Sequence, residues 1–260
     1  MNLLEGKRIA VTGAAGGLGT PVAQLLTGRG AIVTGIDRLD CPDCAASIVT
    51  DLSDDTALLD LCSRLAADPP DILVNIAGIM RFGLHESQPF DALSLCYRIN
   101  LVVPAALAQA VAGPMRARGS GQIVNIGSML GSIPYPWFAA YSSSKAGLAA
   151  LSQALRRELA SSGVTVTHVS PRAAKTKLND GDVERFLDLA GMKADDPDWV
   201  ARRIVAAIEG RRANVSIGAM ERVYAALNAL APAVIDNGLK SQVRRARAAF
   251  NQPPKRGTIR

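Results

Sequence analysis

Asn100, Ser128, Tyr141 and Lys145 are the residues of this chain whose types and spacing could move a proton and steady a negative oxygen. A tyrosine and a lysine four apart share one face of a helix, and an ammonium beside a phenol favours the phenolate and lowers the phenol's pKa. Such a phenol trades a proton near neutral pH. A neighbouring serine hydroxyl adds a donor for an oxygen on which charge develops. The group suits interconversion of a carbonyl and an alcohol, because a hydride arriving at a carbonyl leaves an alkoxide that needs both a proton and hydrogen bonds. Taken singly, a serine or tyrosine in such a chain is usually a packing or capping residue; the constellation carries the reading.

Upstream, Thr12-Gly13-Ala14-Ala15-Gly16-Gly17-Leu18-Gly19 follows a short apolar run and opens a helical pattern. In that context glycines let backbone N–H groups approach a pyrophosphate at a helix N-terminus, where the macrodipole favours negative charge. Asp37 ends the next apolar run, 18 residues beyond Gly19. A carboxylate there accepts the ribose hydroxyls of an adenosine and repels a 2′-phosphate, which favours NAD over NADP. Arg38 beside it pulls the other way, since a guanidinium can pair with a phosphate.

The elements that must position these residues follow an alternating rhythm. Apolar runs at 7–11, 32–36, 47–49, 72–75, 122–126, 165–169 and 214–217 read as strands. Helical patterns fall at 18–26, 54–66 with Ser53 as its cap, 89–99, 101–118, 139–161, 183–190 and 198–209. Seven strands with helical crossovers predict an α/β fold, a doubly wound parallel sheet of Rossmann type with helices on both faces. The 260 residues are 48% hydrophobic and 20% charged, which excludes disorder for most of the chain. No apolar run approaches the roughly 18 residues that span a bilayer. The four cysteines are too scattered for a disulfide scaffold and no signal peptide precedes the first strand, so a reducing cytoplasm is the expected location.

The net charge of +6 is concentrated at the C-terminus: seven basic residues and no acidic one stand from Lys240 onward, leaving the body at −1. A nucleic-acid partner is therefore not expected, since the body lacks a basic face of its own. Val223, Leu227, Leu230 and Val234, then Leu239, Val243, Ala246 and Phe250, recur at helical spacing, with Pro232 dividing the run. The reading is a catalytic and dinucleotide-binding domain over 1–220 and a basic amphipathic helical appendage over 221–260. That appendage could lie on an anionic membrane surface, dock an acidic partner such as an acyl carrier protein, or pack on its own domain or a sister subunit.

The glycine turn, Asp51 after the third strand, Asn75-Ile76-Ala77-Gly78 after the fourth, Asn100, Ser128 and Tyr141-x-x-x-Lys145 occur in this order. Together they resemble the short-chain dehydrogenase/reductase family over about residues 5–220. The resemblance implies that Ser128 orients the substrate oxygen, that Tyr141 is the acid or base, and that Lys145 depresses the tyrosine pKa and holds the nicotinamide ribose. It implies that Asn100 keeps a water in the proton relay. Cofactor contacts are implied for Gly13, Gly17, Leu18, Gly19, Asp37, Asp51, Leu52, Asn75, Ala77, Gly78, Pro171 and Thr176, besides Tyr141 and Lys145. Family members are commonly dimers or tetramers, so a homo-oligomer is expected.

Two departures stand out. Asn75-Ile76-Ala77-Gly78 replaces the common Asn-Asn-Ala-Gly, and Pro171-Arg172 replaces Pro-Gly, which puts a cation beside the nicotinamide. Arg172 either attracts an acidic group or faces solvent. Tyr135, Trp137 and Phe138, with Met80 and Phe82, are expected to wall a pocket for an apolar ketone or alcohol, core packing being the alternative. Cys41-Pro-Asp-Cys44 is half a zinc site without a second half, so no metal is expected. The competing expectation is a non-catalytic dinucleotide-sensing interaction protein, against which the intact Ser128, Tyr141 and Lys145 count.

Overall fold

A computed structural model describes residues 3–179 and 181–250, without the side chains of residues 219 and 221. Seven parallel strands, β1 (Arg8–Thr12), β2 (Ile32–Asp37), β3 (Ala46–Val49), β4 (Ile72–Asn75), β5 (Gly121–Ile126), β6 (Val164–Ser170) and β7 (Asn214–Ser216), form one sheet in the order β3-β2-β1-β4-β5-β6-β7. The doubly wound sheet foreseen from the alternation is present, with every strand in place. Its order reverses between β1 and β4, and ligands of open α/β sheets bind in the crevice at such a point. The loops after β1, β4, β5 and β6 carry Gly13–Leu18, Ile76–Gly78, Gly127–Ser128 and Pro171–Thr176 to that edge.

Successive strand residues face opposite ways, and here both sides are covered. Ile9, Val11, Ile72 and Val74 pack under α1 (Gly19–Thr27) and α7 (Pro197–Glu209). Ala10 and Leu73, one residue out of phase, pack under α2 (Asp55–Ala67) and α4 (Val103–Arg118). This is why the strands read as unbroken apolar runs.

Local differences from the periodicity have identifiable causes. The cap of α2 is Asp54, whose carboxylate accepts from the Ala57 amide at 2.8 Å, and not Ser53, whose amide and hydroxyl both donate to Asp51. The expected helices at 89–99 and 101–118 are continuous: α3 (Phe90–Tyr97) passes into α4 through one π-helical turn, Arg98–Val102, which contains Asn100. Widened turns of this kind aim a side chain out of helical register. The joined stretch Phe90–Arg118 is long and apolar enough to cross a bilayer, contrary to the expectation that no such run exists. Leu107, Val111 and Met115 are wholly buried against the sheet, as in a core helix.

The tail folds as α8 (Ala219–Leu230) and α9 (Pro232–Phe250), divided at Pro232. Val243, Ala246 and Phe250 of α9 join a core with Trp137, Phe138 and Phe186 of the main body. Lys240, Arg244, Arg245 and Arg247 stay exposed, as do Val223, Leu230 and Val234. Lys255, Arg256 and Arg260 lie outside the described residues.

A buried polar chain runs beneath the site edge. Asn75 donates to Asn125 at 2.8 Å, Asn125 donates to Ser152 at 2.9 Å, and the Ser152 hydroxyl is 3.2 Å from Nδ1 of His168. The Ser152 hydroxyl donates its proton to the Leu148 carbonyl, so it receives one from Nδ1. Burial, then the charges of Lys145 and Arg156, push His168 down to about 4. The folded state disfavours the imidazolium, so this stability is complete above the unfolded value near 6.5 and is lost as pH falls toward 4. We expect about 3 kcal/mol to go across that window. His168→Gln should flatten the dependence of the urea midpoint on pH between 6.5 and 4; an unchanged slope would refute the assignment.

Candidate active site

The glycine turn is built by close approach. Gly13 has φ +72°, and a Cβ there would meet the Ala77 backbone at 2.8 Å, so the β1 turn rests directly on the β4 turn. A Cβ on Gly19 would sit 1.8 Å from the Gly13 carbonyl oxygen, which makes glycine obligatory at the start of α1. Thr12, fully buried, accepts from the Ile76 and Ala77 amides through Oγ1 at 3.2 Å. Asp37 stands at the end of β2 and accepts from the amides of Ala15, Arg38 and Leu39. Its carboxylate is thus oriented toward the glycine turn. Asp51 is held below the ordinary carboxylate value by its bonds from the Ser53 amide and hydroxyl, while the Leu52 side chain is buried in the core with Leu58 and Leu61.

The catalytic candidates converge from three elements. Ser128 follows β5 in extended conformation and caps a short 3₁₀ turn, its hydroxyl accepting from the Leu130 amide at 3.1 Å. Tyr141 and Lys145 lie on α5 (Ala139–Glu158), which ends before the expected Ser161. A Cβ on Gly131 would meet the Lys145 backbone at 2.9 Å, so the missing side chain lets the serine loop press onto α5. The nearby Ser128 hydroxyl favours the Tyr141 phenolate.

The electrostatics differ from the sequence expectation. Burial pushes the Tyr141 phenol up to about 12, with Ser128 opposing and Cys96 adding to the rise. Burial also pulls the Lys145 amine down to about 8. The expected depression of the phenol by its neighbouring ammonium is absent. Desolvation dominates: both groups are almost inaccessible, and Nζ is 5.9 Å from the phenol ring centroid, bonded to the Ile126 carbonyl at 2.9 Å.

Asn100 is wholly buried and grips the Ile79 backbone, accepting from its amide at 2.9 Å and donating to its carbonyl at 2.8 Å. Its amide nitrogen also reaches Ser144 at 3.0 Å and Cys96 at 3.4 Å. This lock fixes the strand-exit segment carrying Gly78. An ideal Cβ on Gly78 would lie 3.2 Å from Asn100 Oδ1 and 3.4 Å from Lys145 Nζ, so the absent methyl leaves the gap between them open.

A cavity of about 490 Å³ opens over Ser128, Tyr141 and Lys145. Leu18, Gly78 and Pro171 line it on the side of the glycine turn, with Thr176, whose side chain packs over Gly17. Of the residues expected to wall it, Met80, Tyr135, Phe138 and Arg172 do so. Phe82 and Trp137 do not. They sit behind the wall, stacked edge-on or tilted against Phe138, Phe186 and Phe250. Arg172 is engaged within the protein: its guanidinium forks onto both carboxylate oxygens of Asp195, and Ala174 and Asp195 bridge through the backbone. The pair clamps two loop segments together. Asp195, 23 residues away, gave no signal in the sequence, nor did Tyr224 and Gln242, which line the cavity. Cys96 and Ser144 could have been found, each being within a helical turn of Asn100 or Lys145.

A nicotinamide dinucleotide fits this arrangement. Among the described residues the Lys145 ammonium has one hydrogen bond for three donors, and the open space over Gly78 lies beside it, as hydroxyl acceptors of a ribose require. The family profile for short chain dehydrogenases matches residues 7–185. The chain belongs to that family of oxidoreductases. It is 32% identical over 223 residues to a 3-oxoacyl-[acyl-carrier-protein] reductase of Vibrio harveyi, covering 78% of this chain and 89% of the relative. A Beutenbergia cavernae structure assigned as an NAD(P)-dependent gluconate 5-dehydrogenase, with NADP at low occupancy, superposes with TM-score 0.74 at 27% identity, over 82% of this chain and 95% of that one. A 4-hydroxyisoleucine dehydrogenase complexed with NADH gives TM-score 0.71 at 25% identity, over 81% and 96%.

Gly78→Ala should lower kcat by more than about tenfold by filling the gap between Asn100 and Lys145, with little change in melting temperature. Steady-state turnover equal to the parent's would show that the gap has no part in the reaction.

Proposed function

We propose that the enzyme interconverts an apolar ketone and its secondary alcohol with NAD(H). The carrying observation is the meeting of Ser128, Tyr141 and Lys145 on one wall of a cavity whose remaining lining is mainly apolar, including Leu130, Ile133, Phe186 and Leu187. A bound nicotinamide supplies or accepts the hydride. Ser128 orients the substrate oxygen. In reduction the Tyr141 O–H bond breaks and its proton passes to that oxygen, leaving a phenolate; in oxidation the phenolate takes the proton back. Burial keeps the phenol protonated until the transfer, and the Ser128 hydroxyl favours the phenolate as it forms. Gly13, Gly17 and Gly19 would admit the pyrophosphate, and Asp37 the adenosine ribose.

The preference for NAD rests on Asp37, whose carboxylate would repel a 2′-phosphate. An acyl substrate carried by an acidic partner is favoured by the relative's name and by the exposed Arg244, Arg245 and Arg247. A bilayer is less favoured, because the apolar side of α9 is spent on its own domain. The reading includes a cytoplasmic location and a dimer or tetramer, the latter supported by exposed Phe90, Tyr97 and Val102 along α3 and its continuation.

Tyr141→Phe should lower kcat by about 10²- to 10⁴-fold while NADH binding, followed by fluorescence, is retained. Persistent ketone-dependent NADH oxidation in that variant would end the assignment. Asp37→Ser should narrow the preference for NAD over NADP, and no change in the ratio of the two kcat/KM values would count against a ribose role for Asp37.

A further inference from the structure

Nothing in the catalytic constellation needs residues beyond β7, yet two of them line the cavity. Tyr224 of α8 and Gln242 of α9 line the same cavity as Ser128, Tyr141 and Lys145. The hairpin they belong to is fastened to both sides of the cleft. On the catalytic side, the Asn228 side chain of α8 donates to the Ser132 carbonyl at 3.0 Å, in the loop that begins with Ser128. On the other side lies α6 (Asp182–Leu189), whose Val183, Phe186 and Leu187 line the cavity. Gln242 of α9 donates to the Ala190 carbonyl at the end of that helix, at 3.3 Å. Phe250 then closes the aromatic cluster behind the cavity, 5.1 Å from Phe82 and 6.3 Å from Trp137 between ring centroids, with the Arg185 guanidinium 5.3 Å above its own ring.

We infer that α8 and α9 roof the substrate cavity, and that Tyr224 and Gln242 are specificity-determining residues which bind the outer end of the substrate's non-reacting part. The inference rests on the proposed carbonyl reduction and adds to it the class of group selected. Tyr224 is half exposed, so it stands at the mouth, and neither roof residue brings a charge to the cavity. Tyr135 lines the same cavity, and its phenol is pushed up by burial and then by the Tyr224 phenol. Met129, Leu130, Phe186, Leu187 and Met192 are among the apolar residues that line the cavity. A cavity of this volume lies in the range that holds one small ligand. The group it selects is therefore an uncharged alkyl or aryl body whose far end reaches Tyr224, with the carbonyl at Ser128 and Tyr141. These contacts are made by parts of the substrate that do not react, so they act on KM and leave kcat alone.

The test uses the full chain with NADH and a homologous series of alkyl 3-oxo esters, from short to long acyl chains. Tyr224→Ala and Gln242→Ala should raise KM for the longest esters about tenfold, with the shortest ester and every kcat nearly unchanged. A uniform change across the series, or none, overturns the roof and leaves the proposed reaction standing. If the parent reduces no ester with NADH or NADPH, the proposed reaction fails instead. The roof is then decided by an uncharged apolar dye, Nile red, titrated into the protein and read by fluorescence. Weaker dye binding in Tyr224→Ala and Gln242→Ala upholds it, and affinity equal to the parent's overturns it. Circular dichroism melts matching the parent separate these outcomes from misfolding.

Discussion

A lysine ammonium taken almost entirely out of water, with one carbonyl to bond among the described residues, is the constraint around which the site is organised. Bringing a cation into such a place is costly unless its donors find acceptors, and Ile126 supplies only one. The strain falls on the protonation equilibrium: the amine moves down toward neutrality while the equally buried phenol moves up. Each group alone is poorly placed to ionise. An acceptor-rich ligand entering beside them would complete the solvation that the protein withholds. The empty place over Gly78, the grip of Asn100 on Ile79 and the pressing of Gly131 onto α5 all serve to keep that amine deep and fixed.

What the chain discloses and what it conceals divide along sequence distance. The strands, the glycine turn and the four-residue spacing of Tyr141 and Lys145 are local patterns, and the fold honours them. The sense of the phenol's shift depends on how much water the folded protein removes, which no spacing reports. Ser53 and Asp54 are both good capping residues side by side, and only the backbone decides between them. Asp195 meets Arg172 through an isolated bridge with no periodic signature, so a cation that looks unattached in the sequence is neutralised in space. The aromatic cluster was visible as composition near the catalytic helix. Its division into residues that touch the cavity and residues that stand behind it follows from α6 and α9 packing on one side only.

The appendage shows how an amphipathic pattern can mislead when it is read alone. A stripe of apolar residues flanked by arginines suits a membrane, a partner or the parent domain equally well in sequence. Here the stripe splits at Pro232. The half on α9 is drawn into the body by Phe250 and Ala246, and the half on α8 keeps Val223 and Leu230 in solvent.

The chain of side-chain bonds from Asn75 through Asn125 and Ser152 to His168 has a bearing on how this molecule acquires its working form. Its links span 50, 27 and 16 residues. β4 pairs with β1 across a long excursion as well, so the crevice is closed by contacts among distant stretches. Such topologies assemble slowly, because loop entropy is spent before distant contacts repay it. A polypeptide emerging from the ribosome can join Asn75 to Asn125 once β5 is made, yet the chain of bonds is finished only when β6 brings His168. The catalytic floor is therefore among the last parts to acquire its final shape during synthesis.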